Sequence, residues 1–277
     1  VSTSVPQTGT SGPPGPAGTT PVLELRDVAV HFGGVKAVDG ISLQLESGLI
    51  YGIIGPNGSG KSTLIAAVTR LTPLTRGELL LDGRPVHDVA ASRLAGLGVA
   101  RTFQTVRLLP DLTVRANVQI GADARSGDEA QQRRGPAGWL RPRAASPAVA
   151  EAVARTRLEG FEDHYPSELS YGTQRRVEIA RAIAMGPRLL LLDEPTAGMN
   201  QTERAEISAL MRSMRTDGLC QLLVEHDVQM MIDTCDYVFA MNSGRLIAQG
   251  APADVVQDPA VQEAYLGRKW RDHARSE

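Results

Sequence analysis

The chain has 277 residues, 42% of them hydrophobic, and a formal net charge of −2. That length suits one large α/β domain or two interlocked ones, and the apolar share is enough for a buried core. The near-neutral balance disfavours nucleic acid as a partner. Cys220 and Cys235, the two cysteines, form no CxxC pair and have no histidines at zinc-finger spacing, so they read as free thiols of a reducing compartment.

In chain order, residues 1–21 (VSTSVPQTGTSGPPGPAGTTP) lack a charged start and an apolar stretch; they read as a flexible tail and not as a signal peptide. VLELRDVAVHF and ISLQLE alternate apolar and polar residues, as strands with one wet face do. LIYGIIG, from Leu49 to Gly55, is apolar nearly throughout and suits a central strand; LLLLDEP and LCQLLVEHD repeat the pattern. KSTLIAAVTRL and TERAEISALMRSMRTDG are helical and fall between the strands, and YVFAMNSGRLIAQG reads as a hairpin with a tight Asn-Ser-Gly turn. The alternation predicts an α/β core around a largely parallel sheet. From Asp111 to Met185 the texture becomes helical and loop-like. Within it, ARSGDEAQQRRGPAGWLRPRAASP has charges on no helical face and reads as a solvated linker. No apolar run approaches the ~20 residues that cross a bilayer, so work at a membrane requires docking on another chain.

The chemistry concentrates in five places. GPNGSGKST, comprising Gly55, Pro56, Asn57, Gly58, Ser59, Gly60, Lys61, Ser62 and Thr63, follows a buried strand and opens a helix. Gly58 and Gly60 let the backbone wrap its N–H groups around phosphate oxygens, and the helix start adds roughly half a positive charge. Lys61 then serves the terminal phosphates and the Ser62 hydroxyl a Mg²⁺ ion. LLLLDEP puts Asp193 and Glu194 at the carboxyl end of a second buried strand, one acid for Mg²⁺ and one to polarise the attacking water. His226, where LLVEHD ends a third strand, and Gln104, in ARTFQTV, each fit a phosphate- or water-orienting role or a plain structural one. In LSYGTQRR, Ser170 and Gly172 open a helix and are followed by Arg175 and Arg176. Such a start either caps itself or holds an anion.

Taken in order, Phe32, GPNGSGKST, Gln104, LSYGTQRR, LLLLDEP, AGMN and His226 resemble the ATP-binding subunit of ABC transporters, over Val22 to Gly250. ARTFQTVRLLPDLTVRANV, LSYGTQRRVEIARA, DEPTAGMN and DPAVQEAYLG are most similar to the subunit of branched-chain amino acid importers, with importers of urea or amides close behind. The resemblance implies a P-loop NTPase core with a mainly parallel sheet, an antiparallel β subdomain, a helical subdomain over about 105–185, and a C-terminal extension over 251–277. It implies that Phe32 stacks on adenine, that Glu194, His226 and Gln104 are catalytic, and that Ser62, Gln104 and Asp193 hold Mg²⁺ beside ATP. It further implies head-to-tail pairing with a second ATP-binding subunit, a related chain or another copy, so that Ser170 and Gly172 meet the phosphate held by the partner. Transmembrane permease subunits would dock near Val106, Leu108, Leu109 and Leu112 and keep the chain at the cytoplasmic face of the membrane. Tyr171 and Thr173 depart from the usual LSGGQ signature and Asn200 from the usual Asp. A soluble ABC-type ATPase and a small-molecule P-loop kinase are the competing classes; the kinase gives no reason for LSYG.

Overall fold

The computed structural model describes residues 20–125, 146–215 and 217–265. The N-terminal tail up to residue 19, linker residues 126–145 and the end of the C-terminal extension from residue 266 lie outside them.

Strands β1 (Leu23–Phe32), β2 (Val35–Leu45), β4 (Arg76–Leu81) and β5 (Arg84–Pro85) form an antiparallel sheet in the order β2-β1-β4-β5. A second sheet has the order β10-β9-β3-β8-β7-β6, from β3 (Ile50–Ile54), β6 (Val99–Arg101), β7 (Leu189–Asp193), β8 (Cys220–Val224), β9 (Tyr237–Asn242) and β10 (Arg245–Gly250). Its β6, β7, β8, β3 and β9 are parallel and β10 returns antiparallel, as the hairpin motif predicts. The hairpin turns on Ser243 and Gly244, both at positive φ (49° and 80°), the backbone that a two-residue turn of this hand demands.

The central strands are buried on both faces, which is why they read as unbroken apolar runs. Alternate residues go to opposite sides. Ile50, Ile54, Leu190, Leu192 and Leu223 join the core beneath the helices. Tyr51, Ile53, Leu189, Leu191, Leu222 and Val224 face a second core shared with the antiparallel sheet and helix α1 (Lys61–Val68). Short α2 (Ala91–Leu94) closes the edge of that second core through Leu94.

The helical region packs α3 (Val114–Arg125), α4 (Pro147–Arg155) and α5 (Tyr171–Ala184) through Val118, Val153 and Val177. At Gly121 a Cβ would stand 1.9 Å from the carbonyl oxygen of Arg181, so α3 and α5 meet backbone to side-chain-free backbone. Helices α6 (Gln201–Arg215) and α7 (Val228–Thr234) cover the parallel sheet, and α8 (Pro252–Gln257) adds Val255 to the same core. Strands β4, β5 and β6 have no counterpart among the strands expected from the sequence, and β8 stops at Val224, two residues short of His226.

Candidate nucleotide site

The phosphate loop leaves β3 at Gly55 and enters α1 at Lys61. Its glycines are required by space as well as by torsion: a Cβ on Gly55 would lie 2.2 Å from the Met241 carbonyl oxygen, and one on Gly60 2.1 Å from that of Ala37. Gly58 has φ 80° and open space around it. Pro56 is half-buried, Asn57 exposed, and Ser59 buried with its backbone held at both ends, N–H to the Pro56 carbonyl (3.1 Å) and carbonyl to the Gly244 N–H (2.9 Å). Ser62 is exposed at the helix start, and Thr63 beside it is half-buried.

Lys61 is buried, and its Nζ donates to the carbonyls of Gly55 (2.7 Å) and Pro56 (3.0 Å). Burial pulls its pKa below the ordinary lysine value, while the charges of Glu194 and Asp193 push the other way. Among the described residues it makes no ion pair, so a cation stands in the loop with neutral partners only.

At the ends of β7 and β8 three predicted residues converge. Glu194 Oε2 accepts from Gln104 Nε2 at 2.7 Å and lies 3.1 Å from His226 Nε2. Glu194 sits at φ 45°, a left-handed backbone that a non-glycine residue adopts only when its surroundings impose it, here with its N–H on the Val224 carbonyl (2.8 Å). Asp193 is buried, and its Oδ2 accepts from Arg101 at 3.0 Å. Phe32 ends β1 with 54% of its surface exposed, an aromatic face open to stacking.

Ser170 caps α5, its Oγ accepting from the Thr173 N–H at 3.2 Å. Gly172 lies against Glu203, whose Oε1 would be 2.8 Å from an added Cβ. Among the described residues no hydrogen bond joins Ser170 or Gly172 to the Gly55–Thr63 loop. The departures have local roles. Thr173 shares a hydrogen bond with Ser170 (3.0 Å) and accepts from Arg176 (3.2 Å). Tyr171 lies over Arg175 (6.0 Å), and Asn200 exchanges capping bonds with Glu203 (3.0 and 3.1 Å).

Two polar features escaped the sequence reading. Glu225, buried beside His226, accepts from the N–H (2.9 Å) and Oγ1 (2.6 Å) of Thr196 and so ties the loop after Glu194 to the end of β8. Arg175, read as a possible anion holder, is fully buried and turned into the protein. An acid and a hydroxyl flanking recognised motifs are the available signal for Glu225; nothing in sequence spacing distinguishes Arg175 from half-buried Arg176 beside it.

Residues 38–197 match the ABC transporter family and residues 245–270 the branched-chain amino acid ATP-binding cassette transporter family. The chain is 34% identical over 250 residues to the high-affinity branched-chain amino acid transport ATP-binding protein BraF of Pseudomonas aeruginosa, covering 89% of this chain and 98% of BraF. It is 35% identical over 256 residues to LivG of Escherichia coli, with the same coverages. Among solved structures, the ADP conformation of MJ1267, an ATP-binding cassette of an ABC transporter, superposes with TM-score 0.77 at 28% identity, over 90% of this chain and 100% of that one. The dimeric post-hydrolysis state of the cassette MJ0796 bound to ADP and Pi gives 0.68 at 26%, over 83% and 98%. Matched to BraF and LivG over 89% of its length and to the family over residues 38–197, this chain belongs to the ABC transporter family as one of its ATP-hydrolysing cassettes, homologous to BraF and LivG.

Proposed function

We propose that this cassette powers a membrane importer of branched-chain amino acids, working as a pair of ATP-binding subunits beneath transmembrane permease subunits. The observation that carries the reading is the similarity to BraF and LivG over 89% of this chain, joined to the separate match of residues 245–270. Among the described residues no helix is long and apolar enough to cross a membrane, which fits a chain held there by partners.

In this reading the Gly55–Thr63 backbone and Lys61 bind the ATP phosphates, and Phe32 stacks on the base. Glu194 accepts the proton of the attacking water, with Gln104 and His226 fixing the carboxylate that does so. The Ser62 hydroxyl, the Asp193 carboxylate and the Gln104 amide are hard oxygen donors of the kind Mg²⁺ takes. Once bound, the ion would offset phosphate charge. Ser170 and Gly172 reach the nucleotide only across a head-to-tail pair, consistent with the absence, among the described residues, of a hydrogen bond from either to the loop of their own chain. ATP then becomes part of the interface: its binding closes the pair and its hydrolysis reopens it.

The test is reconstitution in vesicles of the complex formed with co-purifying hydrophobic subunits and its solute-binding protein. ATP-dependent uptake of labelled leucine, isoleucine or valine is expected. Uptake of urea or amides in their place would overturn the substrate class, and recovery of the chain solely in a soluble complex would overturn the transport role.

A further inference from the structure

Arg175 lies one turn into the signature helix, yet its side chain is entirely buried. Its two terminal nitrogens reach successive carbonyls of the segment that carries Gln104: one donates to Phe103 O at 2.6 Å, the other to Gln104 O at 2.7 Å. Glu178, also buried, completes a closed ring. Its Oε2 accepts from Arg175 at 2.6 Å and its Oε1 from the Phe103 N–H at 3.3 Å. A fork spanning two consecutive carbonyls fixes the orientation of the peptide between them, and that orientation sets where the Gln104 side chain points. It points at Glu194, 2.7 Å away.

Burying a guanidinium and a carboxylate together costs desolvation that an apolar pair of similar volume avoids, so a pair like this is weak evidence of stabilisation. What it supplies here is direction. We propose that Arg175 and Glu178 are positioning residues that hold Gln104 against Glu194 from the first turns of the signature helix, so that Ser170 and the hydrolytic carboxylate share one rigid connection. This rests on the reading of Glu194 and Gln104 as parts of the hydrolytic site.

The test uses the full chain in its ATP-hydrolysing complex. Replacing the pair together, Arg175→Met with Glu178→Leu, removes the fork without leaving a lone buried charge. The expected result is a kcat lower by about 10- to 100-fold, the scale of an ångström-sized misplacement, with KM for ATP within about threefold and thermal melting near wild type. In a Gln104→Ala background the same pair should lower kcat by less than about threefold further, because two changes acting through one group do not multiply. Wild-type kcat in the double variant overturns the proposal, as does an equal fold-loss with and without Gln104. If the double variant does not fold, Arg175→Lys keeps the charge but cannot fork, and the same two readouts decide. Glu194→Gln runs alongside. If it hydrolyses at the wild-type rate, the reading of the site fails; if it is inactive while the double variant turns over at the wild-type rate, only the positioning role fails.

Discussion

In the proposed nucleotide site, Lys61 is the side chain set up for an anion. Drawn into the loop and donating to the Gly55 and Pro56 carbonyls, it has lost part of its hydration, and burial already lowers its pKa. A phosphate there meets a cation whose dehydration is partly complete. Lys61→Ala should therefore weaken nucleotide binding itself. A charge-assisted hydrogen bond contributes about 1.5–3 kcal/mol, which predicts a Kd roughly 10- to 100-fold higher in a titration with a fluorescent ATP analogue. An unchanged Kd would remove Lys61 from the site. Glu194 is the other prepared residue, since its positive φ and two side-chain neighbours hold a carboxylate in one orientation at some cost in backbone energy.

At the scale of elements, the phosphate loop is held where the two sheets meet. The Asp39 N–H on β2 donates to Gly244 O (2.8 Å), and the Gly244 N–H donates to Ser59 O (2.9 Å), so the β9–β10 turn bridges the antiparallel sheet to the loop. The Asp39 carboxylate accepts from Arg245 on β10 (2.7 Å), and that bond, with the charges of Lys36 and Arg245, holds its pKa at about 2 against an ordinary 3.8. A depressed carboxylate contributes stability that is complete above the unfolded value and is lost as pH falls through the folded one. Melting temperatures of wild type should thus fall more steeply than those of Asp39→Asn between pH 4 and 2, while an identical fall in both would show that the link carries no stability. Legibility in the sequence followed burial. Strands covered on both faces, such as Leu189–Asp193, announced themselves as apolar runs, and the phosphate loop did so by spacing. Strand β4 hid because RGELLL does not alternate, three non-apolar positions being followed by three leucines, and three-residue β6 is too short for any period. The Arg175–Glu178 ring was invisible because its meaning lies in a segment about 70 residues away, brought near by tertiary packing alone.

At the scale of the whole molecule, one chain carries the Gly55–Thr63 loop, an acid with two attendants, and a helix start at Ser170 that, among the described residues, makes no hydrogen bond to that loop. The proposed function makes Glu194 the residue at which hydrolysis is decided. Its most direct test is Glu194→Gln in the assembled complex, with ATP binding and turnover measured on the same preparation. Binding should persist near wild-type affinity while hydrolysis falls by about 10²- to 10⁴-fold, the range for losing a general base. Turnover at the wild-type rate would contradict the account.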